Sequence, residues 1–335
     1  MTVDRDPSHR PDRTFGGFIG LEKTTEAGGV LHADGSLLSS GRACIAAILD
    51  QLKQTRRAYL PFYTCDSAIV PFIDRGIEVV HYGIDSALMP VLPDGIKSDE
   101  VVVVNDTFGV LGDRITELGS TIAAHVIHDD THAFYVGRRS DRSWAFNSAR
   151  KFCGVPDGGF LFAPMPLTLP QVRNVRVTTD HLVLRALGSG DAAYRSYQVN
   201  EERISSAVER ASLVSETLLS RMDHVGNIVK RKRNFMAIHN TLGNCNRIQF
   251  FANDIVPYCY PYLPDRSFTI DRRSLSKAGL FIPTLWTDVL NRSDSGEAFS
   301  VEKDLSRSLL ALPVDQRYTE ADMVEMVKRL TSILQ

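Results

Sequence analysis

Two acids, a histidine and a lysine in the middle of the chain are the residues best placed to do covalent chemistry. Asp129 and Asp130 end an apolar run, and His132 follows at once. A second short apolar run is followed, after Ser148, by Lys151 and a glycine-rich turn. We interpret this order as strand, acid, strand, lysine and glycine loop. A lysine amine can form a Schiff base with an aldehyde, and a carboxylate can hold a ring nitrogen protonated.

These two functions together are those that an enzyme using pyridoxal 5'-phosphate (PLP) requires. Neither residue type is specific by itself. A lysine after a strand is usually a surface residue, and an aspartate at a strand end is often a helix cap. The interpretation therefore depends on the order and spacing of the two residues.

The elements around these residues predict an α/β fold. The β-branched run 101–104 is typical of a strand covered on both faces, and 124–127 reads as the next strand. Strands that alternate with helices predict a mainly parallel sheet. Ligands in such sheets bind beyond the carboxyl ends of the strands. We therefore expect Asp129, His132 and Lys151 to meet at one edge of the sheet.

A serine and glycine turn precedes the first well-marked helix. The helix, at about 42–54, is apolar on nearly all sides and is expected to be buried. Free backbone N–H groups at its positive end would suit a phosphate. Serine is also an ordinary N-cap, so the turn by itself leaves capping and phosphate binding open.

The domain organisation follows from the length and from a change of pattern. The 335 residues allow one large or two ordinary domains. A helical pattern from about 194 to 240, with apolar residues on one face over 204–218, leads into a smaller C-terminal part. The predicted units are a loose arm at 1–14, a large PLP-binding domain at 15–235 and a small α+β domain at 236–335.

The composition excludes several classes of function. Hydrophobic residues make up 43% and charged residues 23%, as in ordinary globular proteins. The net charge of −2 gives no field that favours nucleic acid or an anionic membrane. No apolar run approaches the roughly 20 residues of a membrane span. Five scattered cysteines fit neither a zinc site nor a disulfide framework, so we expect no metal and a cytoplasmic location.

Five stretches carry a resemblance to a known family. They are SSGRACIAAIL, LPFYTCDSA, VIHDDTHAF, SARKFCGVPDGG and LPVDQRYTEADM. Together with their spacing, over most of residues 37–330, they resemble the fold-type-I PLP-dependent enzymes. Within these enzymes they resemble the sugar aminotransferases of the DegT/StrS type. The resemblance implies a mainly parallel large-domain sheet flanked by helices, followed by a smaller α+β C-terminal domain.

The resemblance also implies a role for each site residue. Lys151 would bind the cofactor aldehyde, and Asp129 would pair with the pyridinium nitrogen. Asp130 is the rival acid if the alignment shifts by one residue. His132 would contact the cofactor's 3-oxygen. The other implied cofactor-binding positions are Ser40, Gly41 and Arg42 for the phosphate, Ser148 for an added hydroxyl and Cys65 for the face of the ring.

Three positions depart from the family pattern. Arg42 stands where a small hydroxyl residue is usual. Cys65 stands where an aromatic ring usually stacks on the cofactor, so stacking there would be weaker or would come from a neighbour such as Tyr63 or Phe108. Ser148 lies three residues before the lysine, where many members have it five before. These departures leave the fold intact and bear on the substrate.

The activity implied by the resemblance is a PLP-dependent transamination. An amino group would move from an amino acid, expected to be glutamate, to a keto sugar carried on a nucleotide. The resemblance further implies small-molecule substrates, a homodimer with its site near the subunit interface, and biosynthesis of a polysaccharide or secondary metabolite. Two alternatives stay open: an elimination or dehydration with the same cofactor, and a non-catalytic protein that has kept the fold.

Three further expectations concern groups near the site. To act as a base near neutral pH, Lys151 needs a lowered pKa, which partial burial near a cation would give. Asp157 in the glycine-rich turn is expected to be a turn residue. Arg272 and Arg273 could bind a substrate anion, but a solvated helix face is the commoner role of such a pair.

Overall fold

A computed structural model gives the fold of the chain. It describes residues 13–26, 28–29, 31–249, 254–265, 270–293 and 298–334. Most of the predicted arm at 1–14 therefore lies outside the described residues.

The described residues form twelve strands and eleven α-helices. The strands, numbered β1 to β12 in chain order, are Phe15–Gly16, Ser36–Leu38, Arg57–Pro61, Glu78–Ile84, Pro90–Val91, Val101–Asn105, His125–Asp129, Trp144–Phe146, Gly159–Phe162, Cys259–Tyr262, Leu280–Phe281 and Leu310–Pro313. The helices, α1 to α11, are Gly41–Gln51, Asp66–Ile73, Asp113–Thr121, Asp180–Ala186, Gly190–Arg203, Leu213–Ser220, His224–Leu242, Arg272–Lys277, Thr287–Asn291, Ser300–Ser308 and Glu320–Ile333. Short 3-10 turns lie at Thr107–Gly109, Ala149–Lys151 and Gly243–Cys245.

Eight strands form the main sheet in the order β2-β9-β8-β7-β6-β3-β4-β5. The five central strands, from β8 to β4, run parallel, and the strands at either edge pair antiparallel. Because parallel neighbours share a direction, the carboxyl ends of β6, β7 and β8 open onto one edge of the sheet. The predicted α/β architecture with a mainly parallel sheet is confirmed.

The central strand and the first helix form the core that fixes this edge. The β-branched residues 101–104 of β6 are all buried, as expected for a strand covered on both faces. Residues 43–49 of α1 are also buried without interruption. Burial of this apolar surface fixes α1 against β8 and β9.

The C-terminal part is smaller and mixed. β10 and β12 pair antiparallel, whereas β11 pairs in parallel with β1 near the N-terminus. The last helix begins at Thr319, whose hydroxyl and backbone N–H bond reciprocally with Asp322 in a capping box. The predicted domain boundary at 235 falls inside the 19-residue helix α7, and the division into two domains stays a prediction.

The predicted continuous helical face over 204–218 is wrong. α5 ends at Arg203, and α6 begins only at Leu213. The residues between them lie along the edge strand β2, where the backbone N–H groups of Ser39 and Ala211 bond across to the carbonyls of Glu209 and Leu37. An open sheet edge offers these backbone groups partners, and tertiary pairing therefore prevails over helix periodicity.

Candidate active site

A cleft lies where strands β6, β7 and β8 end and helix α1 begins. Asn105 ends β6, Asp129 is its register partner at the end of β7, and Lys151 lies in the turn after β8. The cleft is lined by every site residue predicted from the sequence: Ser40, Gly41, Arg42, Cys65, Asp129, His132, Ser148 and Lys151.

Asp129 is a buried acid that faces this cleft. Its side chain is 8% exposed, and its Oδ1 accepts a hydrogen bond of 2.9 Å from the backbone N–H of Thr131. Burial raises the pKa of Asp129 to about 6, while the bonds from Thr131 and the charge of Lys151 act in the opposite direction. A carboxylate has about four acceptor positions, so Asp129 can still accept an N–H from a ligand.

Asp130 points elsewhere and is already paired. The guanidinium of Arg139 donates to both of its carboxylate oxygens, at 2.7 to 3.0 Å, and also to Asp106 at 2.7 Å. The side chains of this ion pair are 1–2% exposed. The geometry therefore favours Asp129 over the rival Asp130 as the acid of the cleft.

The Lys151 amine makes no hydrogen bond or ion pair with the described residues, and its side chain is exposed to the cleft. Burial of the amine among surrounding atoms lowers its pKa, but Tyr258, Tyr197 and Cys65, when ionised, raise it. The pKa of Lys151 consequently lies above the ordinary lysine value. The expected lowering is not found, because these acidic neighbours outweigh both burial and the nearby cation Arg150.

His132 is neutral and presents a donor to the cleft. Burial and the charge of Lys151 lower the pKa of His132 to about 3. Its Nδ1 accepts a hydrogen bond of 3.2 Å from the backbone N–H of Phe108, so the single ring proton lies on Nε2. The ring is parallel to those of Tyr258 and Trp286, with centroids 4.4 Å and 5.6 Å away. The stack fixes the direction in which Nε2–H points.

The N-terminus of α1 combines a cap with free donors. The Ser40 hydroxyl accepts from the Ala43 N–H at 3.0 Å and donates to the Ser205 carbonyl at 3.1 Å. The backbone N–H groups of Gly41 and Arg42 bond to no described residue. Capping and anion binding, which the sequence left open, are therefore compatible: the side chain caps, and two amides remain for an anion.

The guanidinium of Arg42 is half-buried and has no hydrogen-bond or ion-pair partner among the described residues. Burial lowers its pKa. A desolvated cation without a counterion is unfavourable, and a bound anion would relieve the cost. Arg42 adds positive charge at the start of helix α1.

Among the cleft residues that sequence reasoning missed are the cation Arg150 and the aromatic Trp286. Arg150 forms an ion pair with Glu201 of α5. Trp286 comes from the segment before α9, 135 positions after the lysine, and no local signal connects it to the site. Arg150 could have been suspected only as a second cation next to Lys151.

The aromatic ring expected in place of Cys65 is not supplied by Tyr63 or Phe108. Both are buried, at 1% and 0% exposure, and neither lines the cleft. Tyr63 packs edge-on behind Trp286, with centroids 5.0 Å apart. The rings that do line the cleft include Trp286 and His132.

Other candidate residues have structural partners. Asp157 is fully buried and accepts from the backbone and hydroxyl of Ser212, the Ser215 hydroxyl and the Asn174 amide. It therefore ties the glycine-rich turn to the start of α6. The Arg272 guanidinium lies beside three backbone carbonyls at 3.3 to 3.5 Å, outside the cleft.

The described residues contain no cluster of potential metal ligands, and none of their helices is long and apolar enough to cross a membrane.

Comparisons with solved structures show what the fold is similar to. The sugar aminotransferase CalS13 from Micromonospora echinospora shares 15% identity at a TM-score of 0.58, over 89% of this chain and 87% of its own. A DegT DnrJ EryC1 StrS aminotransferase from Brucella abortus shares 13% identity at 0.58, over 90% and 86%. The PLP-form of Spr1654 from Streptococcus pneumoniae shares 12% identity at 0.60, over 96% and 94%.

No protein-family profile and no curated protein sequence matches the chain. At these identities the structural similarity shows a common fold. The predicted fold-type-I architecture is confirmed, and the predicted resemblance to DegT/StrS-type enzymes is confirmed at the level of that fold.

Proposed function

We propose that the chain is a PLP-dependent aminotransferase. The observation that carries the proposal is the presence, in one cleft, of an unpaired lysine amine and a buried carboxylate. The cleft lies at the carboxyl ends of parallel strands, and the helix N-terminus at its margin has free amides. The proposal is further supported by the fold, which the chain shares with sugar aminotransferases, one of them solved in a PLP-form and a PMP-form.

The residues of the cleft fit the cofactor group by group. Asp129 would accept the ring N–H, and Nε2–H of His132 would donate to the ring oxygen. The amides of Gly41 and Arg42, with the Arg42 guanidinium, would hold the phosphate. Lys151 would bind the aldehyde. When bound, PLP supplies an electrophilic aldehyde and a ring that accepts electrons.

The pKa of Asp129 would change when the cofactor binds. In the free protein its pKa of about 6 leaves a fraction of the carboxyl protonated near neutral pH. An adjacent ring N–H⁺ stabilises the carboxylate and would return the pKa toward ordinary values. The carboxylate in turn keeps the ring nitrogen protonated.

Lys151 would act as the base once a substrate amine has displaced it. Its Nζ would take a proton from the α-carbon of the amino donor and return it to a neighbouring carbon. Burial of the amine is the largest influence on its pKa and acts to lower it, whereas Tyr258, Tyr197 and Cys65 raise it only when they are ionised. His132 stays neutral throughout, because burial opposes its protonation.

Arg42 and Arg150 explain how the site could work without the usual hydroxyl. Burial and the charge of Arg42 both lower the pKa of Arg150. Glu201 forms an ion pair with Arg150, which leaves the charge of Arg42 in excess among the described residues. A phosphate dianion would neutralise the excess. Arg42 would thus replace a hydrogen-bonding hydroxyl by a charge-assisted donor.

The substrates follow from the resemblance in sequence and the similarity in fold. The amino donor would be glutamate, and the acceptor a keto sugar carried on a nucleotide. The enzyme would act as a homodimer in the cytoplasm, which agrees with five cysteines that are all free. Its product would enter polysaccharide or secondary-metabolite synthesis.

The proposal is tested by following the amino group. Purified protein with PLP is incubated with glutamate alone, and release of 2-oxoglutarate is measured against enzyme concentration. One equivalent per site, rising to many turnovers when a nucleotide-linked keto sugar is added, supports transamination. Release of ammonia or water-elimination products without 2-oxoglutarate would instead support the elimination alternative.

A further inference from the structure

Arg231 in helix α7 is a fully buried cation, and its charge acts to lower the pKa of the nearby carboxyls of Glu22 and Asp315. Its side chain is 0% exposed, and it forms no ion pair among the described residues. Its guanidinium instead faces acceptors from three separate parts of the chain. They are Gln316 Oε1 at 3.0 Å, the carbonyls of Pro257 and Tyr258 at 3.2 and 3.3 Å, and the carbonyl of Phe152 at 3.4 Å.

One branch of this network holds the loop that carries the lysine. Phe152 directly follows Lys151, and the Arg231 guanidinium carbon lies 4.3 Å from the centroid of its ring. Gln316 Nε2 donates to the Phe152 carbonyl and to Glu22 Oε1, both at 2.7 Å. Glu22 Oε2 in turn accepts the Gly154 N–H at 2.9 Å. The loop after the lysine is therefore fixed at two points.

The other branch holds the histidine. The Tyr258 carbonyl accepts from Arg231, and the Tyr258 ring lies parallel to His132 at 4.4 Å. The backbone N–H of Tyr258 donates to the Phe108 carbonyl at 2.9 Å, and the Phe108 N–H donates to His132 Nδ1. Arg231 thus connects the lysine side of the cleft to the histidine side.

Stability gives only a limited reason for a charge at this position, because Glu22 and Asp315 interact with it at a distance and not as ion pairs. Burying a guanidinium costs free energy, and apolar residues of similar volume often replace buried charges without loss of stability. What an apolar side chain cannot do is bond to several carbonyls at fixed angles. The planar donor fork of arginine can.

We propose that Arg231 is a positioning residue that fixes Lys151 relative to His132. The inference rests on the proposed PLP-dependent function, and Arg231 itself touches neither cofactor nor substrate. Its loss should leave the cofactor bound but misplaced. A displacement of about 1 Å at a reacting group can cost on the order of 100-fold in rate.

The test uses the full-length holoenzyme with Arg231→Met, Arg231→Lys and Gln316→Met. Asn234→Ala is the matched control. Asn234 lies on the same helix, is equally buried and donates to the carbonyls of Val314, Asp315 and Tyr318 on either side of Gln316, but it bonds to no residue of the network itself. For each protein we would measure PLP bound per chain, circular dichroism of the visible cofactor band, kcat and KM for glutamate, and the thermal midpoint.

The expected result separates positioning from stability. Arg231→Met and Gln316→Met should bind one PLP per chain, show altered visible circular dichroism, and lose at least about tenfold in kcat with KM nearly unchanged. Arg231→Lys should recover only part of the rate. Asn234→Ala should lower the thermal midpoint and keep the wild-type visible signal and kcat.

Two results would overturn the inference. Visible circular dichroism and kcat of the wild-type kind in folded Arg231→Met would show that the residue is only structural. Equal losses in Asn234→Ala would show the same. If Arg231→Met does not fold, Gln316→Met decides by the same two readouts. Failure of wild-type protein to bind PLP would be a distinct outcome, because it removes the proposed function and this inference with it.

Discussion

Asp129→Asn is expected to stabilise the cofactor-free protein while it damages the cofactor site. The asparagine keeps an acceptor for the Thr131 N–H and removes only the charge. Burial raises the pKa of Asp129 to about 6, so the folded protein prefers the neutral carboxyl. Ionisation at higher pH therefore costs folding free energy, a cost that asparagine does not carry.

The size and sign of the effect follow from linkage. An ordinary aspartate titrates near 3.9, so the shift is about 2 units, or about 3 kcal/mol at 1.36 kcal/mol per unit. Stability due to the raised pKa is fully present below about pH 4 and is lost as the pH rises through about 6. The variant should match wild type at low pH and exceed it by up to about 3 kcal/mol above pH 6.

The assay is thermal or denaturant unfolding of both proteins without cofactor, from pH 4 to pH 8. Asp141→Asn, which changes an exposed carboxylate, is the control and should alter stability by less than about 0.5 kcal/mol at every pH. In the same variant series, Asp129→Asn should lower kcat with PLP by about 10²- to 10³-fold. A stability difference that does not change with pH, or a variant less stable than wild type at pH 8, would refute the reasoning.

Three further changes test separate parts of the account. In Gly154→Ala the new methyl group would overlap the Gly20 carbonyl oxygen, and unfolding measurements should show a loss of about 1–3 kcal/mol. An unchanged unfolding midpoint would contradict this close approach. Arg139→Met leaves two buried carboxylates unpaired and should lower the free energy of unfolding by about 3–5 kcal/mol at pH 7. The loss should shrink as the pH falls and the carboxylates become protonated. A loss that stays constant from pH 4 to 8 would argue against the ion pair. Arg42→Thr should weaken PLP binding about tenfold or more in absorbance titrations. Binding of pyridoxal, which has no phosphate, should stay unchanged. Equal losses of affinity for both compounds would show that Arg42 does not bind the phosphate.

Local signals in the sequence were sufficient for the parts of the site that lie on consecutive elements. The β-branched run at 101–104 and the apolar run before Asp129 each form a parallel strand. The serine and glycine turn does begin a buried helix. Because parallel strands end at one edge, the order of Asp129 and Lys151 along the chain was enough to predict that both reach one cleft.

What depends on distant parts of the chain could not be predicted in this way. Trp286 enters the cleft from a segment with no periodic pattern. Arg231 is one of four consecutive basic residues, a pattern that is typical of a solvated helix face. Arg231 is the one residue of the four that is completely buried. Its guanidinium donates hydrogen bonds to the backbone carbonyls of residues 152, 257 and 258. The pKa of Lys151 likewise depends on Tyr258 and Tyr197, which come close to the lysine only in the tertiary structure.

The most direct test of the central claim is the visible absorption spectrum of the purified protein with PLP, recorded beside Lys151→Ala before and after glutamate. Wild-type protein should show a visible cofactor band that is absent from Lys151→Ala. Addition of glutamate should remove this band and release 2-oxoglutarate. A wild-type band that glutamate leaves unchanged would contradict transamination from glutamate. A spectrum without any band in wild type would show that the fold has been kept without this chemistry.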